Sequence, residues 1–502
     1  MRVRPLKLHA LIALLTVAAS VHAQSSSGSR SAPQDPSQSG QPTQPQQPAN
    51  PGDANKGQDQ PPVPPVVAGT SQDAPLTGAS QPIIGLVSSR SYVLPSVYYY
   101  GQLDSNGGNV FGNSQFTFIN TIMGSIAIQK VGRASQLNLG YLIGRSFSNR
   151  SGVCDSTTHE FAGSELWSRG RWDGFIFDKF LYSSEASLLG GETPFQIIRL
   201  GEVAGLADTG PVILRNTFLP GQGIFTTFGP RLSNALVAQV NNHLSRRTFF
   251  TVVGNYDKLS FFNSNLFDSS SAGIQAGFGY QRSRRDTFAI VYRYNDYWFD
   301  QEPVTVHDHV VEGAYQRQLG ERLLVQVGAG PEISLIHAPD VTGAALLSTT
   351  RTSWTVDALA RYQLRRTLSV FGGYDHFLTG NNGFFLAAVT DRANVGLTRQ
   401  LSHEWRLDIT ASYARNRNLI PLTNVFGVGT SVPSDASFDS VYGGFEMKRR
   451  VGRDSDLFFG YLGRYQSASF RLCEIGICQN GNLVGHQFNF GFAWRLRPVP
   501  IG

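Results

Sequence analysis

The segment Phe488-Asn489-Phe490-Gly491-Phe492-Ala493-Trp494-Arg495-Leu496 sets four aromatic residues on alternate positions, with Asn, Gly, Ala and Arg between them. Successive side chains of an extended strand point to opposite faces, so Phe488, Phe490, Phe492 and Trp494 share one side and the small or polar residues the other. The same period of two recurs upstream. Trp405, Leu407, Ile409, Ala411 and Tyr413 oppose Arg406, Asp408, Thr410 and Ser412. Ile274, Ala276, Phe278 and Tyr280 oppose Gln275, Gly277 and Gly279. Trp354, Val356, Ala358, Ala360 and Tyr362 oppose Asp357 and Arg361. This is the pattern of strands that are apolar on one face only.

A soluble β-sandwich alternates too. Three features favour a membrane barrel instead. The segments run to about ten residues, the length a tilted membrane strand needs. Their connections alternate between tight turns and longer polar loops, as the two ends of an outer-membrane barrel do. Large aromatics close the apolar face near the strand ends, as interfacial girdles would.

Eight tight turns stand out: residues 129–133, 169–171, 242–247, 281–286, 317–322, 363–368, 399–405 and 448–456. Eight hairpins give sixteen strands. A first strand near Tyr92 to Gln102 and a last from Leu483 to Leu496 bring the total to eighteen, an even number with both ends on one side. Pro95 interrupts the first strand, so sixteen is the alternative count. The expected fold is all-β: an antiparallel, up-and-down transmembrane β-barrel over residues 85–502.

The start of the chain agrees with this compartment. Arg2, Arg4 and Lys7 precede the apolar run Leu8–Val17, and Val21-His22-Ala23 offers small residues at a cleavage spacing. Residues 1–23 therefore read as a secretory signal peptide, without the Cys of a lipoprotein signal. No later run is apolar and long enough for a transmembrane helix. Residues 24–84 are rich in Pro, Gln, Ser and Gly and cannot bury enough apolar surface to fold, so a disordered periplasmic tail is expected. Such a chain reaches on the order of 40 Å.

Composition fits a barrel: 53 Gly, 33 Phe and 18 Tyr stand beside 3 Met and 3 Cys. The net charge of +6 is dispersed, with many basic residues in turns such as Arg282-Ser283-Arg284-Arg285 and Arg449-Arg450. Without interleaved aromatics this is no nucleic-acid surface. Cys473 and Cys478 are closely spaced in a polar connection and are expected to form a disulfide in an oxidising compartment. So small a ring adds roughly 2 kcal/mol at most. Cys154 has no evident partner in the sequence.

The region from about residue 90 to the end resembles the porin-like outer-membrane barrels of bacteria. The resemblance is architectural, carried by the strand and turn pattern. It extends to the last strand, where Phe488, Phe490, Phe492 and Trp494 match the alternating aromatics that the insertion machinery reads. The chain departs from the pattern by continuing through Arg497-Pro-Val-Pro-Ile-Gly502. The resemblance implies a location in the bacterial outer membrane, contact with its lipid, passage through the barrel-insertion machinery, and passive diffusion of small hydrophilic solutes. A homotrimer, and a peptidoglycan or other periplasmic partner for the tail, remain open.

In general porins, which this chain resembles, the third external loop folds into the lumen. Its counterpart here spans residues 184–231 and carries Glu192, Arg199, Glu202, Asp208 and Arg215, expected to form a charged constriction. Lying over the mouth or reaching another subunit are the alternatives. Alternation assigns Arg293, Glu312, Asp357, Arg361, Arg392, Asp408, Glu446, Arg464 and Arg495 to the lumen face, with Arg ahead of the acids and a mild anion preference expected. Pairing across strands in a filled barrel would place the same residues there. His307-Asp308-His309 reads as a solvated pair at the outer rim, since two ligands are too few for a metal site. No nucleophile, zinc or phosphate-loop motif appears, so neither an enzyme nor a cofactor is expected. The alternatives to a diffusion channel are an exporter or importer of one substrate class, such as a polysaccharide or lipid, and a structural barrel that anchors the envelope.

Overall fold

The computed structural model describes residues 91–105, 116–149, 156–183, 231–262, 268–283, 285–300, 302–320, 322–339, 346–380, 386–420, 422–425, 430–432, 436–452, 454–469, 471–474, 477–480 and 482–501. The expected signal peptide and tail, Cys154, and the charged loop residues Glu192, Arg199, Glu202, Asp208 and Arg215 lie outside them.

Eighteen long strands form one closed antiparallel sheet. In chain order they are β1 (Tyr92–Asp104), β2 (Thr117–Val131), β3 (Ser135–Ser148), β4 (Ser156–Arg169), β5 (Trp172–Ser183), β6 (Arg231–His243), β7 (Thr248–Phe261), β8 (Ser269–Gln281) and β9 (Asp286–Phe299). They continue with β10 (Thr305–Leu319), β11 (Leu323–Pro339), β12 (Leu346–Arg365), β13 (Leu368–Gly380), β14 (Ala387–Gln400), β15 (Trp405–Asn418), β16 (Ser437–Val451), β17 (Ser455–Ala468) and β18 (Leu483–Arg495). Each strand pairs with the next, and β18 returns to β1 with Ser96 opposite Arg495 and Asp104 opposite Gln487. All eight expected turns join strands, so the count is eighteen rather than sixteen. Long and short connections alternate except between β9 and β10, which only residues 300–304 join.

Pro95 does not interrupt β1. It pairs with Ile126 of β2, while on its other side the ladder to β18 begins one residue later, at Ser96. The missing N–H thus falls where no ladder bond is needed. The C-terminal extension covers the remaining edge. Val499 and Pro500 pair with Val93 and Tyr92, and the Leu496 amide donates to the Pro95 carbonyl at 3.0 Å. At the tightest turns Gly170, Gly320 and Gly452 have φ of 65°, 67° and 74°, a left-handed conformation that side chains disfavour.

The alternation resolves into two surfaces. The outer one is an apolar band: Phe490 is 43% exposed and Ile290 67%. The inner residues between them are buried, such as Asn489, Gly491 and Ala493 on β18. Aromatic rings lie over glycines of neighbouring strands on both surfaces. A side chain added at Gly279 would overlap Phe249, and one at Gly396 would overlap Phe371. This seating of rings on bare backbone accounts for pairing many glycines with many aromatics.

Candidate functional site: the inner wall of the barrel

All nine residues assigned to the lumen by alternation point inward. Arg293, Glu312, Asp357, Arg392, Glu446 and Arg464 are buried, and Arg361, Asp408 and Arg495 are half-buried. The lipid-facing residues on either side of each mark the direction. On β9, for instance, Tyr292 is exposed and Arg293 is not.

Ion pairs and hydrogen bonds tie these residues to their neighbours. The Arg392 guanidinium donates from Nε and Nη2 to Asp375 at 3.1 and 2.9 Å, across the β13–β14 pair. Asp408 accepts from Thr398 at 2.7 Å and from Arg406 at 2.9 Å, and it stands in register with Glu446. Arg495 and Lys448 both meet Asp456. Arg464 reaches Asp104 at 3.0 Å. Asp308 accepts from Ser334 at 3.1 Å and from Asn295 at 3.3 Å, with Arg293 close enough to act on its charge. Glu312 and Asp357 come from opposite sides of β11 to cover Gly328, whose lack of a side chain makes the room.

These partners correct the expected charge balance. Asp104, Asp257, Asp308, Glu332, Asp375 and Asp456 share the inner face with the nine residues above. With them included, and with Lys179, Arg406 and Lys448 on the same face, bases no longer outnumber acids among the described inner-face residues. They escape sequence reading because a lone carboxylate in a strand carries no phase unless its neighbours do.

The inner wall also carries apolar clusters. From β4 to β10 it carries an apolar cluster of Phe175, Phe177, Val237, Phe249, Val253 and Val291, with Ala289, Ala314 and Leu166 packed beside them. Phe175 is 1% exposed, and its ring stacks on Phe177 with centroids 6.3 Å apart. Ionic pairs lie beside this cluster as well as elsewhere: Lys179 and Glu160, 3.4 Å apart on β5 and β4, share this arc, and a second apolar cluster of Tyr98, Met123, Leu142, Phe458 and Ala493 lies on β1–β3, β17 and β18. Phe371 and Phe458 also lie on the inner face. The missed signal was the run Phe175-Ile176-Phe177 in β5, apolar on both phases, which marks a strand whose two faces are both apolar.

His307 and His309 are not solvated loop residues. Both lie in β10 on its outward side, bonded through Nδ1 to the hydroxyls of Tyr294 (3.1 Å) and Tyr292 (2.9 Å). His159 with Tyr141 and His486 with Tyr461 repeat the pairing, each at 2.9 Å. Among the described residues no group of three or more His, Cys, Asp or Glu is arranged to hold a metal ion. Cys473 and Cys478 stand opposite each other in a short hairpin formed by Arg471–Glu474 and Ile477–Asn480.

No protein-family model matches the sequence, and no curated protein matches it either. Solved structures with a similar chain path include OccK2 (OpdF) of Pseudomonas aeruginosa, at 9% identity and a TM-score of 0.40, covering 81% of this chain and 98% of that one. The same protein in complex with glucuronate gives 9% identity and a TM-score of 0.41, with the same coverage. The ferric-catecholate import receptor Fiu of E. coli K12 gives 8% identity and a TM-score of 0.40, covering 82% of each chain. The closed eighteen-strand sheet, apolar outside and polar within, makes this chain an outer-membrane β-barrel of a bacterial cell.

Proposed function

We propose that the barrel is a channel for passive diffusion of small hydrophilic solutes. The observation that carries this reading is the ionic inner wall of an eighteen-strand barrel. Eighteen strands enclose more space than side chains alone fill, whereas about eight do not. Fixed charges of both signs along such a wall suit hydrated solutes. A lipid-facing use of the same residues would cost about 2–4 kcal/mol for each Arg or Lys at the bilayer midplane.

The apolar patch on β4 to β10 favours a second reading, import or export of one substrate class with an apolar face. Phe175, Phe177 and Phe249 would then meet the apolar side of the solute while inward charges such as Arg392 and Asp375 met its polar groups. Swelling of proteoliposomes in neutral sugars, in ions and in amphiphilic solutes separates the two. Rates that fall smoothly with solute size support free diffusion. Uptake confined to amphiphiles supports the second reading, and no uptake of any solute removes both.

A further inference from the structure

The two ends of the barrel carry opposite charge. The eight turns with their closing residues (129–133, 169–171, 242–247, 281–286, 317–322, 363–368, 399–405 and 448–456) hold 18 of the chain's 42 Lys and Arg, against five acids. Among the described residues, the connections at the other end hold four acids, Asp268, Asp300, Glu302 and Glu474, and one base, Arg471. Every turn contributes at least one cation, so the charge forms a ring rather than a patch. Tip pairs such as Arg246–Arg247, Arg365–Arg366 and Arg449–Arg450 are exposed. Local pairs exist, as between Arg449 and Glu404 at 3.7 Å and between Arg317 and Asp286 at 3.6 Å. Five acids cannot neutralise eighteen cations.

The same turns expose apolar side chains. Leu244, Leu319, Leu364, Leu401 and Val451, in five of the eight turns, are 39–52% exposed. Leu244 lies two residues from Arg246, and Leu364 is followed directly by Arg365 and Arg366. Below them the lipid-facing aromatics begin. Arg449 lies over the ring of Trp405 at 5.3 Å. Arg and Lys beside exposed Leu, above a tryptophan girdle, is the arrangement of a surface that sits in a headgroup layer: apolar stems enter the acyl boundary and charged heads remain at phosphate depth. A water-soluble polyanion would use the cations and leave the leucines exposed to water at a cost.

We infer that the turn end of the barrel is a ring-shaped binding surface for the phosphates of anionic glycerophospholipids in the leaflet it enters. Short turns are the periplasmic end of such barrels, so the leaflet is the inner one of the outer membrane. Near a bilayer surface each basic residue strengthens attraction to anionic lipid roughly fivefold, and the effect is screened by salt. The opposite end, where acids outnumber bases among the described residues, would repel the same lipids. The ring therefore also opposes inverted placement of the barrel.

The barrel's own tryptophans test this. Trp167, Trp172, Trp405 and Trp494 lie at the turn end, four of the six in the chain. The full-length mature protein is inserted into phosphatidylcholine vesicles that contain brominated phosphatidylglycerol or, at equal fraction, brominated phosphatidylcholine. Stronger quenching by the phosphatidylglycerol, reduced by salt, is expected. The combined variant Arg246→Gln, Arg247→Gln, Arg365→Gln and Arg366→Gln should show a clearly reduced preference, while the corresponding Lys variant keeps it. Folding of each variant is checked by the altered gel mobility of the unheated barrel. Equal quenching by the two lipids in the wild-type protein would overturn the inference. So would a preference unchanged in the Gln variant. Equal quenching together with retention on a column bearing a soluble polyanion would assign the arginines to a water-soluble partner instead.

Discussion

Arg464 lies across Gly485 and donates from Nη2 to both carboxylate oxygens of Asp104, at 3.0 and 3.2 Å, joining residues 360 positions apart. Arg464 belongs to β17 and Asp104 to β1, with β18 between them. A side chain at Gly485 would overlap the guanidinium, so this glycine is what lets the arginine span the seam. Both side chains are almost completely buried, 1% and 2% exposed. The bond fastens the last strands of the barrel to the first.

Removing one partner of such a pair leaves the other charge buried and costs about 3–5 kcal/mol. Asp104→Asn and Arg464→Gln should each lower the urea midpoint of unfolding from vesicles, followed by tryptophan fluorescence. Gly485→Ala should approach the same loss without touching either charge. The double variant Asp104→Leu with Arg464→Met should lose much less than either single change. Single variants that unfold at the wild-type midpoint would mean that the seam does not depend on this bond.

The topology has its own test. Loops such as 263–267 should lie outside the cell and turns such as that at Gly320 inside the periplasm. An epitope inserted in the first is expected to be labelled on intact cells, and one beside Gly320 only after the outer membrane is opened. The converse labelling would invert the barrel.

Cys473 and Cys478 stand opposite each other in a two-stranded hairpin, a placement that suits a disulfide. Thiol counting of the mature protein under denaturing, non-reducing conditions should find one free thiol, that of Cys154. Three free thiols would show the pair to be reduced.

Asp408 and Glu446 face each other in register on the inner wall, with Arg406 bonded to Asp408. In a conducting barrel, Asp408→Asn with Glu446→Gln leaves Arg406 without its counter-charge. The reversal potential under a salt gradient should then move toward anion preference. No movement would place these residues off the conducting path.

The strand count and the turns were legible because they rest on local signals that repeat: a period of two, eight polar turns, and aromatics at strand ends. Pro95 was harder, since its tolerance depends on where β18 stops, a fact about a segment some 400 positions later. The inward direction of Arg293 was legible from Tyr292 and Tyr294 beside it, and that of Asp357 from the apolar phase of Trp354, Val356 and Ala358. Their partners were not. Asp375 and Asp104 acquire their roles from register across strands, which alternation within one strand does not encode. The apolar patch around Phe175 was hidden for a related reason: in β5 both phases are apolar at residues 175–177, so alternation fades where the two faces cease to differ. The charge of the turns was visible as basic dipeptides, but its ring form appears only once all eight turns lie at one end.

The most direct test of the channel reading is the conductance of the purified mature protein in planar phosphatidylcholine bilayers. Addition of folded barrel should produce discrete, uniform current steps in simple salt, without any energy source or periplasmic partner. The steps should be absent when heat-denatured protein is added. Correctly inserted protein that produces no current above the bare bilayer would contradict the account of an open, water-filled lumen.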